Sequence, residues 1–188
     1  MSNSLKALDR PALFDFFEKM EVALAKQKKF SEVTLLGGTS LIILGIRDRV
    51  TWDVDILPAG KNIELFLKLA IKLKMPVDVV SLTSKIDLAA SPKTLVYQGK
   101  YLQISSIGAE ALLQSKLERY AKQDPEDLIA LSKKMELSYK KFLVIFKEMI
   151  IDYVGNPDRF LIQVRDFVEL VFPENLEDFY NCYPMSFE

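Results

Sequence analysis

The sequence predicts an α+β protein (α/β mixed): a small mixed β-sheet flanked by helices, followed by a helical C-terminal part. Three observations carry this expectation. Residues 32–45 run from a β-branched apolar stretch through Gly37-Gly38 into a second apolar stretch, the order strand, turn, helix. Residues 50–57 alternate polar Thr51, Asp53 and Asp55 with apolar Trp52, Val54 and Ile56, the period of two that puts each set on its own face of a strand. From residue 109 onward the chain reads as helical, with Gly155-Asn156-Pro157 as its break.

Taken in order, residues 10–27 form an amphipathic helix whose stripe is Leu13, Phe16, Phe17, Met20 and Leu24, with Pro11 suited to a first helical turn. Residues 32–36 form a short buried strand, and Thr39-Ser40 open an apolar helix over 41–45. A strand at 50–57 ends in the turn Pro58-Ala59-Gly60, and a helix follows over 63–74. Residues 76–82 read as another strand, 83–93 as a polar stretch of no clear type, and 94–97 with 101–105 as a hairpin about Gly99. Residues 109–122 form a helix, and a further one starts at Asp124, an N-cap candidate ahead of Pro125. The phenylalanines at 142, 146, 160 and 167 require the C-terminal helices to pack on something. The expected division is a sheet-containing domain over 1–135 and a helical extension over 136–188.

Composition narrows the chemistry. Apolar residues make up 49% and charged residues 27% of the 188-residue chain, enough for a core and ordinary for a globular protein. The net charge of −1 exerts no bulk pull on nucleic acid. The chain contains no histidine and one cysteine, Cys182, which excludes Ser-His-Asp and Cys-His catalysis, histidine-ligated metals and an internal disulfide. Any metal is then held by oxygen, which points to magnesium or manganese. The first residues lack an apolar segment of the signal type, and no apolar run reaches the ~20 residues that span a bilayer. A soluble, cytoplasmic protein is expected, with no membrane partner.

Two carboxylates at i and i+2 on a strand share a face, with Cβ atoms roughly 6–7 Å apart. Asp53 and Asp55 can therefore hold one or two hard cations, whose remaining ligands would be water and phosphate oxygens. The plainer reading makes them the solvent face of an edge strand, although aspartate is a poor strand former. Gly37-Gly38 offers a backbone that phosphate can approach at a helix start. The plainer reading there is a tight turn with Thr39 or Ser40 as N-cap. No Gly-Lys-Ser/Thr follows, so this is not a Walker loop.

Read together, LLGGTSLIILGIRDRVTWDVDIL resembles the minimal nucleotidyltransferases of the polymerase-beta-like superfamily, and most of all their bacterial abortive-infection and toxin–antitoxin branch. The carrying pattern is Gly-Gly-Thr-Ser followed by Arg49-x-Thr51-x-Asp53-x-Asp55. A second segment, LLQSKLERYAKQDPEDLIAL, is similar to that family's Lys-Leu, Arg, Asp-x-x-Asp-Leu helix pair. The resemblance spans roughly residues 30–131. It implies that Asp53 and Asp55 hold Mg2+ (or Mn2+), that Gly38 and Ser40 contact a triphosphate such as that of ATP, and that Gly37 and Thr39 shape the loop. Arg49 would meet the phosphates, Lys116 would neutralise their charge, and Asp124 would place the nucleotide or Lys116. Asp78 would be a third carboxylate, and Asp127 a favourable charge in a first helical turn.

The function expected from the resemblance is transfer of NMP from an NTP to an acceptor hydroxyl, with tRNA or a protein as acceptor and an antitoxin protein as partner. The alternative is a non-catalytic module that binds nucleotide or a partner protein. Trp52, Val54 and Ile56 read as core.

Overall fold

The computed structural model describes residues 7–80, 90–120 and 124–184. Contacts divide these into two compact units, the first made of 7–80 and 90–108, the second of 109–120 and 124–184.

The first unit holds helices α1 (Arg10–Gln27), α2 (Gly37–Ile43) and α3 (Ile63–Lys72), and strands β1 (Ser31–Leu35), β2 (Val54–Ile56), β3 (Val77–Val79), β4 (Lys93–Gln98) and β5 (Leu102–Ile107). Helix α1 starts where the sequence places it. The Asp9 carboxylate accepts the Ala12 N–H at 2.9 Å, Pro11 lies in the first turn, and Lys28 ends the helix at φ 51°. Its stripe of Leu13, Phe16, Phe17, Met20 and Leu24 is buried, and each such side chain contributes about 1.5–3 kcal/mol on full burial.

The strands form one mixed sheet in the order β3-β2-β1-β5-β4. β1 runs antiparallel to β2 and parallel to β5, β2 runs parallel to β3, and β4 and β5 form the antiparallel hairpin. Val33, Leu35, Val54, Ile56, Leu102 and Ile104 join Phe16, Phe17 and Phe66 in one core. Since side chains alternate along a strand, Thr34, Ser105, Asp55 and Asp78 face the other way.

The strand expected over 50–57 is cut to Val54–Ile56. Thr51 forms only an isolated bridge with Leu8. Its hydroxyl donates to the Asp53 Oδ1 at 3.1 Å, a local side-chain bond that competes with ladder pairing, and residues 52–53 bend. Trp52 is consequently 57% exposed and is not core, whereas Val54 and Ile56 are buried. The strand expected over 76–82 is Val77–Val79, and residues 81–89 lie outside the described part.

The second unit is helical: α4 (Ala109–Arg119), α5 (Asp124–Lys134), α6 (Tyr139–Asp152), α7 (Pro157–Val171), a 3-10 turn (Pro173–Asn175) and α8 (Leu176–Cys182). Phe142, Phe146, Phe160, Phe167 and Phe179 are fully buried together, with the Phe142 and Phe167 rings 4.9 Å apart. Within this unit α4 and α5 pack on α7. Tyr120, at φ 41°, ends α4 short of the expected 122. Among the described residues no helix is long and apolar enough to cross a membrane.

Candidate active site

The Gly37-Gly38 loop and the aspartate strand are joined by one hydroxyl. Thr39 donates to the Asp53 carbonyl at 3.0 Å and accepts the Asp55 N–H at 3.4 Å. The backbone adds a further tie, since the Leu36 N–H donates to the Asp55 carbonyl at 3.1 Å. The capping role considered for Thr39 and Ser40 does not hold. α2 begins at Gly37, Leu36 takes the cap position without a side-chain bond, and both hydroxyl residues lie inside the helix. Thr39 is drawn instead to the neighbouring strand.

The two glycines differ in what lies against them. Gly37 has φ +61°, and a methyl group there would collide with Oδ2 of Asp55 and reach within 3.0 Å of its Cγ. The Asp55 carboxylate thus fills the space in front of Gly37. At Gly38 an added Cβ would lie 3.1 Å from Nη2 of Arg49 and 3.6 Å from Oγ1 of Thr51. Gly37, Gly38, Thr39, Arg49, Thr51, Asp53 and Asp55 are therefore brought together. Arg49 and Thr51 reach the loop at Gly38, Asp55 reaches it at Gly37, and Asp53 is tied to it through its carbonyl.

Ser40 is fully buried, and among the described residues its Oγ has no hydrogen-bond partner. Asp78 is the β3 partner of Asp55 in parallel register, so the two stand level on one face of the sheet, with Asp78 exposed. Among the described residues, however, no three acidic side chains come close enough to form a metal-binding group. Asp53 and Asp55 remain as a pair of half-buried carboxylates. An all-oxygen pair fits magnesium, which is often bound through one or two carboxylates and completes its shell with water and phosphate. The glycine backbone beside the pair and the orphaned Ser40 hydroxyl also suit a phosphate ligand.

Lys116 and Asp124 lie in the second unit, in a cluster of their own. The Lys116 side chain is 3% exposed, and its ammonium sits 2.9 Å from Oδ1 of Asp124 and 2.7 Å from Oδ2 of Asp127. Arg119 adds a fork to Asp124, with Nε at 3.2 Å and Nη2 at 3.0 Å. The parts played by Asp127 and Arg119 in this cluster were not anticipated from the sequence. The available signal was the matching spacing: Lys116 and Arg119 are i,i+3 on one helix, and Asp124 and Asp127 are i,i+3 on the next. Beside them the Tyr120 phenol is pushed up to about 12, first by burial and then by the carboxylates of Asp166, Asp124 and Glu169.

No match was found among curated proteins or among solved structures. A family model does match, over residues 11–159, and that span takes in α1, the glycine loop, both aspartates and the Lys116–Asp124 pair. With the loop-and-aspartate geometry inside it, the match assigns the chain to the family described as "Nucleotidyltransferase of unknown function (DUF6036)".

Proposed function

We propose that the chain is a metal-dependent nucleotidyltransferase that moves NMP from an NTP to an acceptor hydroxyl. The acceptor oxygen forms a bond to the α-phosphorus, the bond from that phosphorus to the α,β-bridging oxygen breaks, and pyrophosphate leaves. The observation that carries this reading is the Thr39 clamp, which ties the backbone of both aspartates to the glycine loop. The reading rests on the first unit alone.

Asp53 and Asp55 would hold magnesium or manganese, which supplies charge neutralisation on the triphosphate when bound. Gly37 keeps the Asp55 carboxylate against the loop. Gly38 lets the Arg49 guanidinium lie against the loop, where it would offer positive charge to a phosphate oxygen. Asp78, level with Asp55 on the next strand, is proposed as the acceptor of the hydroxyl proton.

The test is transfer of label from each NTP, labelled in turn at the α- and γ-phosphorus, with total RNA and with cell lysate as acceptors. Retention of α-label but not γ-label on RNA or on a protein band establishes nucleotidyl transfer and names the acceptor class. Binding of NTP with no transfer to either acceptor supports the non-catalytic alternative.

A further inference from the structure

We propose that Thr51 is a positioning residue of the candidate active site, whose hydroxyl sets the Asp53 carboxylate for a divalent cation. This deepens the nucleotidyltransferase reading above and rests on it. Thr51 Oγ1 donates to Oδ1 of Asp53 at 3.1 Å. Among the described residues that hydroxyl is the single partner of the carboxylate, and Oδ2 has none. One oxygen is held and the other is left for a ligand.

The two aspartates are placed by different means. The Asp55 carboxylate fits against Gly37, where a side chain would displace it. Asp53 is tied to the loop through its carbonyl, on Thr39, and that bond leaves its side chain unfixed. The Thr51 hydroxyl supplies the missing constraint. It also stands beside the loop, 3.6 Å from where a Cβ on Gly38 would lie.

Main-chain bonds hold the segment apart from that hydroxyl. The Thr51 N–H donates to the Leu8 carbonyl at 2.9 Å, the Leu8 N–H donates to the Thr51 carbonyl at 2.7 Å, and Leu8 is buried. Beyond Asp53, the Val54 N–H donates to the Pro76 carbonyl at 2.9 Å. The hydroxyl is thus presented from backbone fixed on both sides. A donor so held pre-orients a carboxylate whose torsions would otherwise be ordered on binding. Its neutrality matters as well. A lysine or arginine in that place would compete with the cation for the carboxylate charge, whereas a hydroxyl leaves that charge in place. Carboxylates that bind metals are commonly hydrogen-bonded in this way, and loss of such a partner weakens metal binding about ten- to a hundredfold.

The test is equilibrium dialysis of Mn2+, alone and with each NTP, against the parent protein, Thr51→Val, Thr51→Ser and Asp53→Asn, with urea unfolding of each. Valine keeps the branched shape and drops the hydroxyl. Thr51→Val is expected to fold and to bind Mn2+ about ten- to a hundredfold more weakly, and Thr51→Ser to keep most of the affinity. The metal concentration that gives half-maximal transfer should rise in Thr51→Val by the same factor. Thr51→Ala repeats the comparison if valine unfolds the protein. Unchanged Mn2+ affinity in the folded variant without the hydroxyl overturns the positioning role and leaves the proposed function standing. Mn2+ binding that Asp53→Asn does not lower overturns the metal pair of the proposed function, and the role of Thr51 with it.

Discussion

Oδ2 of Asp55 occupies the space in front of Gly37 that a side chain would fill. A candidate metal ligand and a loop glycine are thus fitted to each other, and this has consequences that differ between the two glycines.

Gly37→Ala forces a left-handed φ on alanine and drives its methyl into the Asp55 carboxylate. A loss of about 2 kcal/mol or more in urea unfolding is expected, together with loss of nucleotidyl transfer. At Gly38 the nearest obstacle is the far end of the Arg49 side chain. Gly38→Ala should therefore change stability by less than about 1 kcal/mol while still lowering transfer, since the methyl stands where phosphate would approach.

Thr39→Val keeps the shape and removes the hydroxyl that holds Asp53 and Asp55 to the loop. Stranding the Asp53 carbonyl should cost about 1–3 kcal/mol, read by thermal and urea unfolding, with a fall in transfer rate. Thr39→Ser retains the hydroxyl and should recover most of both.

Lys116→Met leaves Asp124 and Asp127 buried without the lysine that they share. Removing one partner of a buried charge cluster costs about 3–5 kcal/mol, and urea unfolding should show it. Converting both carboxylates to amides in the same chain (Asp124→Asn with Asp127→Asn) should restore much of that loss.

The Tyr120 phenol, raised from 10.0 to about 12, is held neutral more firmly in the fold than in the unfolded chain. The stability that this contributes is fully present below the unfolded value and is lost as pH rises from 10 through about 12. Tyr120→Phe cannot titrate, so its unfolding free energy should decline less steeply across that window than that of the parent protein.

Much of the frame was legible because it is local. Pro11 marks the first turn of α1, the period-3.6 stripe marks its buried face, and Gly99 marks the hairpin. The meeting of the glycine loop with Asp55 was legible because alternation along a strand and the tolerance of glycine are properties of short segments. Trp52 was misread for the opposite reason. The alternation around it suggests core, but the strand begins only at Val54, and residues 52–53 bend where Thr51 bonds the Asp53 side chain. The interior position of Ser40 and the sharing of Lys116 by two aspartates depend on how elements meet, which spacing alone does not specify.

The most direct measurement is label transfer from α-labelled NTP by the parent protein and by an Asp53→Asn/Asp55→Asn variant, with unfolding curves recorded for both. The variant is expected to fold and to lose transfer by at least about a hundredfold, the scale on which removal of charge-stabilising groups acts. Transfer at an undiminished rate in the folded variant would contradict the assignment of these two carboxylates.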